Sequence, residues 1–322
     1  MPTISDIEEI IVPISDPNEA YVTSRDIYYE RVRFAFLHIK KYPEFYKRGQ
    51  TPFLHRSLYS EHTPQVIEDV LSACALYCGK NVANETLVYR DIGRKAWDLA
   101  GRNILLQRPL DMLTYTQALL LYQIIRLFDG DIRQRADAES HERVLKDWTE
   151  QLQTRFQALP SIASSASSLS EAITSSSWKD WIYQESCRRT VLASYMLQGV
   201  YSFLKSGYDN VSCKVNNLSF TAQATLWNAP LGYHWREVCK EKKHFKVTIR
   251  EWDIAMESVQ LNDLDELGVV ILAGLKPWIS RANGLEENIL SGGDWIGDLR
   301  ITNQLLCVIE AHPTDSEITL TR

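Results

Sequence analysis

Apolar positions recur at spacings of three and four residues through most of this chain and nowhere alternate over any length, so the pattern predicts helices. The longest such stretch runs from Trp178 to Leu204, about seven turns at 3.6 residues each, with no proline and with Gly199 as its only glycine. From Val191 onward it is apolar on nearly every side (Leu192, Ala193, Tyr195, Met196, Leu197, Val200, Phe203 and Leu204), which predicts a helix buried at the centre of the molecule. Glu185, Arg188 and Arg189 stand at i, i+3 and i+4 in its first half, where opposite charges meet along one face. Charges beside so apolar a helix are costly to bury unless paired, so the pattern predicts an ion-paired shoulder.

The rest of the chain reads as shorter helices. One begins at Ser24 and stops before Pro43, and a turn-rich connection through Gly49 and Pro52 follows. Thr63-Pro64 is a start signal, a capping hydroxyl before a proline. The helix it opens places Val66, Ile67, Val70, Leu71, Cys74 and Cys78 on one face, with Gly79 as its stop. Asn84 caps a helix reaching about Gln107, with Val88, Ile92 and Leu99 inward. Leu110 to Phe128 is dense enough in leucine and isoleucine to be buried. Asp137 to Leu159 carries Leu145, Trp148, Leu152 and Phe156 on one stripe. Ser161 to Ser177 holds nine serines without periodicity and is expected to be a flexible loop within one domain. Beyond the long helix come a loop from Gly207 to Ser219 and a short helix with Trp227 inward, ended by Pro230. Two helical patterns follow in 247–259 and 263–275, and a last one in 301–311 ends before Pro313. The fold predicted is all-α: one large helical domain over 24–312, an arm over 1–23 and a tail over 313–322.

Composition narrows the function. The 322 residues are ample to bury a core, and nine tryptophans suit cores and pockets. The formal net charge is −6, whereas a self-sufficient DNA-binding protein usually carries a basic domain or stripe. The only basic run, Lys240 to Arg250, reads as a surface face, with a nuclear-import signal or anion contact as its alternative. No basic n-region marks a signal peptide, and no apolar run reaches the ~18 residues of a membrane span. A soluble, intracellular protein with no membrane partner is therefore expected. The six cysteines are scattered; Cys74 and Cys78, at i, i+4, read as buried thiols, and no metal site is expected.

The long helix also carries a signature. Trp178, Trp181, Ile182, Glu185, Ser186, Arg188, Arg189 and Thr190 resemble the W-x-x-W-I-x-x-E-S-x-R-R-T element of the regulatory domain of fungal zinc-cluster transcription factors. Tyr42-Pro43 with Gln50-Thr51-Pro52-Phe53-Leu54-His55 resembles that family's opening element. Gln117 to Gln123, continuing to Asp131, resembles its next long helix, and Leu226-Trp227-Asn228-Ala229 to Trp235 its leucine-tryptophan segment. The resemblance covers roughly residues 25–275. The family reads DNA through six closely spaced cysteines that bind two zinc ions. This sequence has no C-x-x-C, and its first cysteine is Cys74, so no direct DNA binding is expected from it.

Motifs for catalysis are missing: no G-x-G-x-x-G, P-loop, G-x-S-x-G or H-E-x-x-H occurs, and no cofactor is expected. Asp129 and Asp131 are a cation candidate better explained by a turn that ends a helix. The resemblance implies a regulatory module that takes a hydrophobic small molecule or a transcription partner protein, in the nucleus and linked to secondary metabolism. The alternative is a cytoplasmic, cofactor-free cyclase or isomerase on the same helical fold, which a cavity accelerates by proximity alone. A purely structural interaction protein is the third reading. The ligand candidates are Tyr122, Trp181, Arg188, Tyr195 and Trp227; for the enzyme the catalytic candidates are His55, Glu185 and Arg188. For the charged trio the leading reading is an internal network that holds the helix in register, ahead of a ligand contact, and for His55 it is a hydrogen-bonded histidine that braces its loop.

Overall fold

The computed structural model describes residue 29 and residues 31–103, 108–129, 131–157, 171–207, 211–241, 246–251 and 263–272, apart from the side chains of 171–177, 212, 213 and 241. In chain order the helices are α1 (31–40), α2 (Tyr42–Lys47), α3 (Gln65–Cys78), α4 (Glu85–Ala100), α5 (Pro109–Phe128), α6 (Ile132–Ser140), α7 (Glu142–Gln157) and α8 (Glu171–Ser206). Then come α9 (Ser212–Val215), β1 (Ser219–Thr221), α10 (Ala224–Trp227), α11 (Gly232–Glu241), β2 (Lys246–Thr248), a 3₁₀ turn (Ile249–Glu251) and α12 (Glu266–Val270). The fold is all-α.

Two helices organise the rest. From Met112 to Phe128 α5 is buried at nearly every position, which leaves it no face for water. It touches α2, α3, α4, α6, α7 and α8. Each fully buried leucine or isoleucine contributes roughly 1.5–3 kcal/mol against exposure, so this helix is the largest single block of the core. The second organiser, α8, packs on α5, α7, α9, α11 and β1. Buried hydroxyls and amides fix the register between layers. Gln117 on α5 donates to Thr190 Oγ1 on α8 at 3.1 Å, and Thr149 on α7 meets Ser194 on α8 at 2.6 Å. Close approach matters at one glycine. A Cβ on Gly232 would lie 3.2 Å from the Trp178 ring, so α11 reaches α8 because that position has no side chain. The far end of α8 stops at Gly207, whose φ of +78° is left-handed.

Several local expectations need correction. Pro43 does not end the structure: it stands in the first turn of a new helix, α2, where its missing N–H costs nothing. Thr63 does not cap α3, because its hydroxyl donates to the Tyr59 carbonyl at 3.2 Å. Leu71 and Cys78 face outward on α3, and Ala73 is buried with Cys74 instead. Asn84 precedes α4 without a side-chain cap, because its Oδ1 takes the Asn81 N–H at 2.7 Å. That helix ends at Ala100.

The single helix expected over Asp137–Leu159 is broken at His141, whose Nδ1 meets the buried Arg126 Nη1 at 3.2 Å. Asp131 starts α6 by accepting the Gln134 N–H at 2.7 Å, and Asp129 takes Tyr77, Tyr89 and Lys80, tying α3 and α4 to the end of α5. The serine-rich stretch divides. Its part over 161–170 lies outside the described residues, whereas 171–177 is helical, the start of α8, in a stretch with no glycine or proline to break it. The ribbon β1–β2, antiparallel with Phe220 opposite Val247, replaces the loop and helix expected at those positions. The arm over 1–23, the tail over 313–322 and the expected helix in 301–311 lie outside the described residues.

Candidate functional site

A loop that is buried must still pair its backbone groups. Residues Thr51 to His55 form such a loop, buried throughout. Thr51 stabilises it internally, its hydroxyl accepting the N–H groups of Phe53 and Leu54 at 3.2 and 2.8 Å. Its carbonyls are served from three directions. Trp227 Nε1 donates to the Thr51 carbonyl at 3.3 Å, Arg189 Nη1 to that of Pro52 at 2.9 Å, and Gln117 Nε2 to that of Phe53 at 2.9 Å. The four stretches that carry the resemblance therefore meet at one place.

Arg189 is the hub. It has no exposed surface, and its guanidinium also donates to Glu185 Oε1 at 2.9 Å, to the Thr221 carbonyl at 2.5 Å and to Asp265. Its plane lies 4.0 Å from the Trp227 ring centroid. Glu185 is equally sealed and takes Arg188 Nε at 2.9 Å, together with the Thr221 N–H at 2.7 Å and hydroxyl at 3.2 Å. Burial pushes its carboxyl up, but two guanidinium neighbours outweigh that and hold it below the usual carboxylate range. Asp265 fares differently. Burial dominates and raises its carboxyl, because it has one arginine, shared with Glu185, and feels the repulsion of Glu185. Asp265 also caps α12, accepting the Gly268 N–H at 2.9 Å. The network thus fastens α8 to the loop, to β1 and to α12 at once.

His55 lies beside it, 1% exposed, with the Trp227 and Trp178 rings edge-on at 5.0 and 6.3 Å. Its Nδ1 accepts the Ser57 N–H at 3.1 Å, which assigns the ring hydrogen to Nε2. Nε2 makes no well-formed hydrogen bond among the described residues. Burial lowers its pKa to about 4, against the pull of the Trp227 carbonyl, and the Arg189 charge adds to the depression. A small cleft of about 230 Å³ opens beside Trp227, lined by Gln50, Thr51, Pro52, Arg56, Asn228 and Asp265 among others.

The other candidates are spread over different faces. Arg188 keeps 12% of its side chain exposed and lies 5.2 Å from the Phe156 ring centroid. Tyr122 is buried on α5 and feels Asp69 and Asp91 of α3 and α4. Tyr195 points to α7, donating to Gln153 Oε1 at 2.9 Å. Trp181 packs on Trp235 of α11 at 5.6 Å. The structure brings His55, Glu185 and Trp227 together around Arg189, and sets Tyr122 and Tyr195 on other helix contacts. Among the described residues no group of three or more His, Cys, Asp or Glu is arranged to hold a metal ion, and no helix is long and apolar enough to cross a membrane.

No protein-family model and no solved structure matches the chain. A curated relative does: Transcription factor gsfR2 of Penicillium aethiopicum is 42% identical over 297 residues, covering 88% of this chain and 71% of the relative. The chain belongs to this family of fungal transcription factors. In this transcription-factor-like protein the residue that sequence reasoning undervalued is Arg189, passed over for Arg188 as the ligand-facing arginine. The available signal was its i+4 spacing from Glu185 within an apolar helix. Asp265 was missed altogether, and its signal was the Asp265-to-Gly268 cap pattern at the start of α12.

Proposed function

We propose that the chain is the regulatory helical domain of a fungal transcription factor and acts in the nucleus on genes of secondary metabolism. It takes a hydrophobic small molecule or a transcription partner protein, and DNA contact comes from elsewhere than these residues. The observation that carries this reading is the 42% identity, over 88% of the chain, to a protein named as a transcription factor. The sealing of Glu185 and His55 is consistent with it, since acid–base groups that turn over a substrate must reach it. Arg189 supports the reading in the same way, as a fastening for the domain. The test is chromatin occupancy of the tagged protein after crosslinking. Enrichment at discrete promoters is expected; a protein that stays out of nuclei and enriches no promoter contradicts the reading.

A further inference from the structure

The cleft beside Trp227 is bordered by charges that the surrounding structure answers only in part. Its volume, about 230 Å³, falls below the roughly 300–1,000 Å³ of drug-sized sites, so an occupant is no larger than a small metabolite. Its walls come from three places: the end of α2 with the loop that follows it, Trp227 with Asn228, and the start of α12.

One wall donates. Arg56 is exposed, and its Nε donates to Gln50 Oε1 at 2.9 Å, while Gln50 Nε2 donates to Asn228 Oδ1 at 3.0 Å. That chain anchors the guanidinium at the cleft and leaves its Nη groups without a partner among the described residues. Arg48 adds a second exposed guanidinium, with one Nη on Glu44 at 2.6 Å. The other wall accepts. Asp265 is sealed, its two oxygens taken by Arg189 and by the Gly268 N–H. Glu266 beside it is open: 33% of its side chain is exposed, and His38 Nδ1 meets its Oε1 at 2.5 Å. Its Oε2 is neither buried nor bonded among the described residues.

A purely anionic ligand on Arg56 would face the Glu266 charge, and a purely cationic one on Glu266 would face two arginines. A molecule that carries both charges answers both walls, and half-buried Phe45 gives it an apolar side. We propose that this cleft binds a small zwitterion of the amino-acid class, its carboxylate on the Arg56 Nη groups and its ammonium on Glu266 Oε2. The site is small and charged, so it is additional to the hydrophobic ligand or partner of the regulatory reading and stands independently of it.

The probe is L-leucine, titrated into the purified chain by ligand-observed NMR. Beside it run 4-methylpentanoate, which lacks the ammonium, and 3-methylbutan-1-amine, which lacks the carboxylate. We expect leucine to bind about tenfold more tightly than either. Glu266→Gln should close the gap to 4-methylpentanoate, and Arg56→Gln the gap to the amine. Should Glu266→Gln fail to fold for want of its His38 contact, Arg56→Gln decides, since its side chain is exposed and its loss should leave the melting temperature unchanged. No leucine binding, equal affinities for the three probes, or an Arg56→Gln chain that keeps the full preference for leucine over the amine would each overturn the proposal.

Discussion

At the scale of single residues, the two arginines of the signature divide sharply. Arg189→Ala leaves Glu185 and Asp265 buried with one common cation gone, a loss of about 3–5 kcal/mol for a broken internal pair. Lysine should not rescue it, because a point charge cannot reach Glu185, Pro52, Thr221 and Asp265 together. Arg188→Ala removes one partly exposed partner while Glu185 keeps Arg189 and Thr221, and should cost about 1–2 kcal/mol. Urea midpoints of the three variants check this order.

His55 makes a pH prediction. Its folded pKa is about 4, and the unfolded value is near 6.5. On acidification the unfolded chain takes the proton first, so the contribution of His55 is whole above about pH 6.5 and drains away toward pH 4, about 3 kcal/mol in all. Unfolding free energies at pH 7.5 and 5 should fall more steeply for the wild type than for His55→Gln. Parallel slopes would remove His55 from the account. In the sequence His55 closes the opening element and reads as a histidine bracing its loop, which the bond from the Ser57 N–H matches; its depressed pKa was not legible there, because it comes from burial under Trp178 and Trp227, which are distant along the chain.

At the scale of elements, legibility follows how local the cause is. The two central helices announced themselves because α5 and the second half of α8 are apolar on every side. The ribbon did not. Each of its strands is three residues long, and β1 is held through Thr221 by Glu185 of α8, a contact no window of sequence contains. The break at His141 was hidden for the same reason, since Arg126 lies one helix away. Asp131 was legible only as a turn residue, yet it is the side-chain cap of α6. Asp131→Ala should destabilise by about 1 kcal/mol. Amide exchange at 132–135 should speed up before that of α5; uniform change across both helices would contradict a local cap.

For the whole molecule, the motif resemblance turns out to be spatial as well as sequential. Pro52-Phe53, Gln117, Glu185 to Thr190 and Trp227 are far apart in the chain and meet around one buried loop. Such a junction explains why those residue types occur together. Membership of a fungal transcription-factor family rests on the 42% identical relative, and the regulatory role is the claim that remains to be exposed to experiment. The most direct measurement is deletion of the gene, with transcripts and metabolites profiled from the same cultures. The account predicts that a coherent set of transcripts falls and that their products fall with it. Steady transcripts together with one accumulating uncyclised intermediate would contradict it.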